Sequence, residues 1–260
     1  MRVAIIIPAR YASKRFPGKP LVKIAGIPLL ERVWRIAQLA GGDEVCVATD
    51  DERIADLVKS FSGEVVMTDP ECRNGSERVL EAAKKLKTCP DVVVNLQGDA
   101  ILTPPWILKA LIDEMKNNKN ATVATPAVRL TKTQLEDLRE AKLAGNSGGT
   151  LVVFDNQHRA LYFSRSIIPF ERSQNDGEYS NVYRHIGLYA YTMSALEKYV
   201  AMPESRLEKI EKLEQLRLLE NGIPLRVVEV DYRGRTHCSI DTPEDAKKAE
   251  EIIAKEGELF

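Results

Sequence analysis

Three short segments hold the residues best suited to chemistry. Arg10, Lys14, Arg15 and Lys19 place four cations within ten residues, in a loop over 8–19 that begins Pro8-Ala9 and is stiffened by Pro17. Such a loop suits an oligophosphate, because a guanidinium grips two oxygens at once and an ammonium neutralises as a point charge. A solvated basic turn is the competing reading, and a position directly after a buried strand favours the phosphate. Asp99 closes the second segment, Asn95-Leu96-Gln97-Gly98-Asp99. A carboxylate there, behind a glycine that allows close approach, is a good magnesium ligand. A role as helix N-cap competes, but Pro104 and Pro105 move the helix start downstream. The third segment runs over 239–245. Thr242 supplies a cap and Pro243 the first helical position, which leaves Asp241 to face a second side of the same ion.

These segments need a scaffold that brings loop ends together. Residues 3–7 read as a strand buried on both faces. Leu29, Leu30, Val33, Ile36, Ala37 and Ala40 mark one face of a helix. Strands follow over 45–48, 65–67, 92–96 and 122–128, separated by helices to 58, over 76–86 and over 106–115. The first of these three helices has capping-box spacing at Thr49 and Glu52. This alternation predicts an α/β fold with a doubly wound, mostly parallel sheet, whose ligands sit beyond the carboxyl ends of the strands. The second half is more mixed. It reads as strands over 151–154 and 160–163 joined by a turn, a polar loop over 174–178, a strand over 186–191 and a helix over 213–219 closed by Asn221-Gly222. A strand over 225–230 precedes the last helix. A single domain over 1–260 is expected, with a nucleotide-binding part over about 1–130. A smaller mixed lobe over about 131–235 would lie over the sheet's edge, and a C-terminal helix over 242–255 would pack back.

Composition narrows the function classes. Across 260 residues, 37 basic side chains face 38 acidic ones, so any anion is held by a local cluster and a general nucleic-acid partner is not expected. No apolar run is long enough for a membrane span, and the first strand is too short for a signal peptide. Cys46, Cys72, Cys89 and Cys238 lie far apart without a CxxC pair, which suits unpaired thiols in a reducing cytoplasm. His158, His185 and His237 are likewise scattered. Neither a GxGxxG nor a full Walker A motif is present, since Pro20 stands where the Walker hydroxyl belongs.

Taken in order, the motifs resemble those of the 3-deoxy-manno-octulosonate cytidylyltransferases, or CMP-Kdo synthetases, over nearly the whole chain. The most specific pieces are Ile7-Pro8-Ala9-Arg10 with Phe16-Pro17-Gly18-Lys19-Pro20-Leu21, Ala48-Thr49-Asp50-Asp51, and Asn74-Gly75-Ser76-Glu77-Arg78. Asn95 to Asp99, Ala160-Leu161-Tyr162-Phe163-Ser164-Arg165, 184–191, 213–217 and 241–245 continue the pattern.

The resemblance implies a nucleotide-diphospho-sugar transferase-like fold and magnesium-dependent transfer from CTP to an eight-carbon keto-acid sugar. By it, Pro8, Ala9, Arg10, Ser13, Arg15 and Lys19 belong to the triphosphate site, with Ser76 and Arg78 on the nucleotide side. Asp99 and Asp241 would hold Mg2+, and with Arg10 and Lys19 would form the catalytic set. Gln97, Arg165, His185, Tyr189, Glu214 and Gln215 would line the sugar pocket. A homodimer in the cytoplasm, feeding lipopolysaccharide assembly, is implied as well, with the lobe serving sugar binding and dimerisation. Each of these residues also has a plainer reading. His185 could be a satisfied core histidine, Arg165 could pair with a surface acid, and Glu214 and Gln215 could be solvated. Tyr162, Phe163 and Tyr191 read as core.

Two departures concern the sugar. Ala100 stands where the family carries a polar residue after Gln-Gly-Asp, and residues 146–150 replace an Asn-Pro-Asn-Val-Val-Lys pattern. Another acidic sugar (8-amino-Kdo or a sialic acid) is therefore the nearest alternative. A non-catalytic nucleotide- or sugar-binding protein on the same fold is the alternative from another class.

Overall fold

Strand β1 (Val3–Ala9) explains why the molecule has two helical layers. Val3 through Ile7 have no exposed surface. Alternation sends Val3, Ile5 and Ile7 into one apolar cluster and Ala4 and Ile6 into another. Burial of each isoleucine contributes about 2 kcal/mol. The structure, a computed structural model, describes residues 1–12, 16–145, 148–173 and 176–260.

After β1 come a small ribbon of β2 (Lys23–Ile24) and β3 (Ile27–Pro28), then α1 (Leu29–Gln38), β4 (Glu44–Thr49), α2 (Glu52–Ser60), β5 (Glu64–Met67), α3 (Gly75–Lys85), β6 (Val92–Asn95) and α4 (Pro105–Asn117). β1 pairs in parallel with β4 and β6, and β4 with β5. Helices α1 and α4 cover the Ile5 face, and α3 covers the Ile6 face. The expected doubly wound sheet is present.

The second half continues with β7 (Val123–Thr131), α5 (Lys132–Leu143), β8 (Leu151–Phe154), β9 (Ala160–Ser164), β10 (Tyr179–His185), β11 (Tyr189–Thr192), α6 (Met193–Ala201), α7 (Arg206–Glu211), α8 (Leu216–Glu220), β12 (Arg226–Val230) and α9 (Pro243–Glu256). Among the described residues the strands run β5-β4-β1-β6-β11-β7-β10-β8-β9, with β12 also on β7. The later strands thus extend the same sheet by hydrogen bonding, where a lobe over its edge was expected. Helix α9 begins as predicted, with a Thr242–Asp245 capping box and Pro243 in the first turn, and packs its Ala249 and Ile253 onto the Ile5 face.

Four local expectations need correction. The N-cap of α2 is Asp51, whose Oδ1 accepts from Arg53 N at 3.0 Å. Thr49 is held in the β4 ladder between Ala9 and Met67 and cannot leave it to cap. Of the strand expected over 186–191, only the part from Tyr189 on is strand (β11), and 186–188 is a break. β10 and β11 run along the same edge of β7, and a three-residue turn closed by Leu188 N–H to Ile186 O (2.7 Å) separates them. Across that turn the outer partner changes from β8 to β6. The helix expected over 213–219 begins only at Leu216. Finally, α5, α6 and α7 were not anticipated. α5 buries only Leu135 and Leu138 and so shows a weak apolar face, although Thr131 and Gln134 form a capping box.

Candidate active site

The carboxyl ends of β1 and β6 open into a cleft of about 380 Å³. Pro8, Ala9, Arg10 and Lys19 enter it from the loop after β1, and Asn95, Gln97, Gly98 and Asp99 from the loop after β6. Two glycines make this possible. Gly98 passes so close to β1 that a Cβ would stand 3.0 Å from the Pro8 carbonyl oxygen. Gly18 takes φ +70, a left-handed conformation that suits glycine, and starts the 3-10 turn Lys19–Leu21. The N-terminus of α3, capped by Asn74, presents Gly75 and Ser76 to the same cleft. Its unpaired N–H groups and dipole favour an anion there.

Lys19 ties the floor together. Its Nζ donates to Asp99 Oδ2 at 2.8 Å and to the Ile240 carbonyl at 2.7 Å, and stands 3.9 Å from Asp241 Oδ1. The aspartates therefore converge from separate segments, as expected, with a cation between them. Among the described residues no three His, Cys, Asp or Glu side chains gather as a metal site. Two carboxylates are nevertheless the hard oxygen donors that magnesium takes, with phosphate oxygens and water completing its shell. The Lys19 ammonium shows that a cation is accommodated between them.

Beyond Gln97 lie two further cavities. One, about 350 Å³, is lined by Gln97, His185, Tyr189, Glu214 and Gln215. The other, about 620 Å³, includes Gln97, Asp99, Arg165, His185 and Asp241. The turn at Ile186–Leu188 helps to form both, and Gly187 lies against the Gln97 side chain. His185 is buried against Phe163 and Tyr189. Burial above all, with a smaller electrostatic contribution from nearby His237, holds its pKa down at about 3, so it is neutral. Its Nε2 lies 2.7 Å from Thr125 Oγ1, which donates to Leu188 O, also at 2.7 Å. Thr125 has one proton to give. His185 must then donate through Nε2–H, leaving Nδ1 as an acceptor.

Glu214 and Gln215 are not on a solvated helix face. Arg217 grips Glu208 through two bonds of 2.8 and 2.6 Å and anchors the start of α8. This seats Gln215 at 2 % exposure, where its Oε1 accepts from Tyr189 OH at 3.1 Å while Nε2 has no partner. Glu214 accepts from Tyr199 OH (3.1 Å) and from Ser76. Burial outweighs those bonds and raises its carboxyl pKa.

Most expected residues thus meet in one place; some do not. Arg78 has no exposed surface and turns away from the cleft, with Nη2 3.0 Å from Asp50 and Nη1 on Thr68 Oγ1. It braces α3 against the end of β4. Arg10 lines the cleft while its guanidinium touches the Cys72 carbonyl. Arg165 lines the larger cavity, with Nε donating to Glu211 O (2.7 Å) and Nη2 to Lys212 O (3.1 Å). Ser13 and Arg15 lie outside the described residues, as do residues 146–147 of the departing segment. Sequence reasoning missed Asn95, Thr125, Arg184 and His237. Arg184 and His237 line the larger cavity. Asn95 Oδ1 is buried without a partner, and the sequence marked Asn95 only as the first residue of the Asp99 segment.

Comparison with known proteins agrees with this geometry. A family model described as cytidylyltransferase matches residues 4–229. A 3-deoxy-manno-octulosonate cytidylyltransferase of Maricaulis maris (strain MCS10) is 51 % identical over the full length of both chains. An 8-amino-3,8-dideoxy-manno-octulosonate cytidylyltransferase of Shewanella frigidimarina (strain NCIMB 400) is 42 % identical, covering 98 % of this chain and 99 % of the relative. A solved CMP:2-keto-3-deoxy-manno-octonic acid synthetase complexed with CTP superposes with a TM-score of 0.85 at 36 % identity, covering 98 % of this chain and all of that one. The chain thus belongs to the cytidylyltransferases, within the family of the 3-deoxy-manno-octulosonate enzymes.

Proposed function

We propose that the protein transfers the cytidylyl group of CTP to 3-deoxy-manno-octulosonate (Kdo), forming CMP-Kdo and pyrophosphate with Mg2+ as cofactor. One observation carries the reading. Asp99 borders both the phosphate cleft and the larger sugar-sized cavity, and it converges there with Lys19 and Asp241. A module that merely binds a nucleotide has no need of two carboxylates at the junction of two substrate sites.

In this reading the anomeric hydroxyl of the sugar attacks the α-phosphorus in line, and pyrophosphate leaves. Positioning and charge neutralisation carry most of the catalysis. Arg10, Lys19 and the N-terminus of α3 would face the triphosphate, where they offset its charge. Asp99 and Asp241 would hold the magnesium, which when bound supplies positive charge to the reacting groups and makes the hydroxyl more acidic. His185, neutral and with Nδ1 as acceptor, and Gln215, with a spare N–H donor, would orient sugar hydroxyls. Glu214 would link the Ser76 end of the nucleotide cleft to the sugar side.

The same reading places the enzyme in the cytoplasm, where it supplies activated sugar for lipopolysaccharide, as a homodimer. Strand β9 ends the strand order among the described residues and exposes Leu161, a surface a second copy would use. No helix among the described residues is long and apolar enough to cross a membrane.

Pyrophosphate release measured with CTP, UTP, ATP and GTP against Kdo, 8-amino-Kdo and a sialic acid tests the proposal. CTP with Kdo is expected to give by far the highest kcat/KM. Preference for 8-amino-Kdo, as the Shewanella relative's name would suggest, would change the substrate. Absence of release with every pair would make the chain a binding protein.

A further inference from the structure

Among the described residues the three buried arginines each meet an acid, while Arg184 is half-buried. Arg32 reaches Glu258, Arg78 reaches Asp50 and Arg217 reaches Glu208. Arg184 does not. It lies on β10 between Val128 of β7 and Leu151 of β8, an interior position of the sheet, and strand alternation turns it to the face opposite His185. Its Nε is sealed from solvent and has no hydrogen-bond partner, and no carboxylate stands within ion-pair distance among the described residues. Asp137 and Tyr232 act on it only at longer range, and burial weakens its hold on the proton. His237 beside it is neutral, its pKa pressed down to about 4 by burial and by the Arg184 charge itself.

A desolvated cation without a counter-ion is a costly arrangement, and removing its charge is often stabilising. Arg184 is kept in that state on the wall of the 620 Å³ cavity, which it shares with Asp99 and Asp241. The arginine suggested by the sequence, Arg165, already gives Nε and Nη2 to main-chain carbonyls and so serves partly as wall. The sugar acid assigned above carries one group ionised at neutral pH, its carboxylate. A planar guanidinium on the wall of that cavity matches that group with two parallel bonds.

We propose that Arg184 is the counter-ion for the carboxylate of the acidic sugar, and so a specificity-determining residue of the sugar site. This inference rests on the substrate reading given above. Its consequence is that the cavity selects a 2-keto acid over the corresponding neutral sugar chiefly through one side chain.

The test uses the full-length enzyme, with Kdo and its C1 amide as alternative acceptors. Wild type is expected to favour the acid over the amide by about a hundredfold in kcat/KM. R184M is expected to raise the KM for Kdo by about a hundredfold and R184K by about tenfold, with the KM for CTP within about threefold of wild type. R184M should also lose most of the preference for acid over amide. Without sugar, R184M should melt at or above the wild-type temperature, which a merely structural arginine would not allow. If R184M fails to fold, R184K decides through the same KM split. Activity of wild type on Kdo with an unchanged sugar KM in the variants overturns the role of Arg184 alone. Equal use of acid and amide by wild type also overturns it. Wild type inactive on every acidic sugar overturns the substrate reading and the inference together, and activity on a different acid moves the same comparison to that acid and its amide.

Discussion

Lys19 Nζ stands 2.8 Å from Asp99 Oδ2, joining residues 80 positions apart at the junction of two substrate cavities. Both side chains are largely buried, at 15 % and 19 % exposure. The pair arises because Gly18 aims the loop after β1 across the sheet end while Gly98 lets the loop after β6 come up against Pro8. The ammonium thereby places a positive charge between the Asp99 and Asp241 carboxylates. Lys19 thus holds the two carboxylates together before substrate arrives.

The first expectation concerns that lysine. Lys19→Ala removes positive charge from the phosphate cleft and should lower kcat/KM for CTP by about 10²- to 10³-fold, the range of one electrostatic contact in a transition state. Denaturant midpoints should show a stability change of about 1 kcal/mol or less. Wild-type kcat/KM in the variant would remove Lys19 from the catalytic set.

Arg78 should behave in the opposite way. It is wholly buried and held by Asp50 and Thr68, so Arg78→Met strands Asp50 and should destabilise the fold by about 3 kcal/mol. The KM for CTP, measured below the unfolding transition, should stay within about threefold of wild type. A large rise in that KM with stability intact would restore Arg78 to the nucleotide site.

Much of this was legible in the sequence, for physical reasons that differ by residue. The run over 3–7 is apolar on both faces, and only a strand covered on both sides has use for that. Asp99 and Asp241 each sit where a strand or cap ends, so their convergence followed from topology. β10 was hidden because its inward positions include Ser180 beside Val182, which blurs the alternation. The apolar residues Ile186 and Leu188 suggested a strand at the very point where the chain turns and changes partners. Glu214 and Gln215 look like ordinary helix-surface residues until the Arg217–Glu208 pair shows what holds them inside. Arg184 stood in the sequence only as the first residue of the 184–191 segment, and only three dimensions reveal that, among the described residues, no acid pairs with it.

His185 should couple stability to pH. Folding lowers its pKa from the ordinary 6.5 to about 3, through burial above all. Between those values the unfolded chain binds a proton that the folded one does not, so stability falls as pH falls below 6.5 and is complete above it. From pH 7 to pH 5 the loss from this group is about 2 kcal/mol. His185→Gln should remove that part of the slope in urea midpoints measured across the interval. An unchanged slope would mean that His185 is protonated in the folded protein.

The paired aspartates are tested most directly by kcat for Asp99→Asn, Asp241→Asn and the double variant at saturating CTP, Kdo and Mg2+, with melting temperatures alongside. If the two carboxylates serve one ion, each single variant loses about 10²-fold or more in kcat while the fold persists. The double variant should be no more than about tenfold worse than the weaker single, because groups acting as a unit are strongly non-additive. Single variants that keep wild-type turnover, with small additive losses of stability, would contradict the paired-carboxylate site and with it the proposed mechanism.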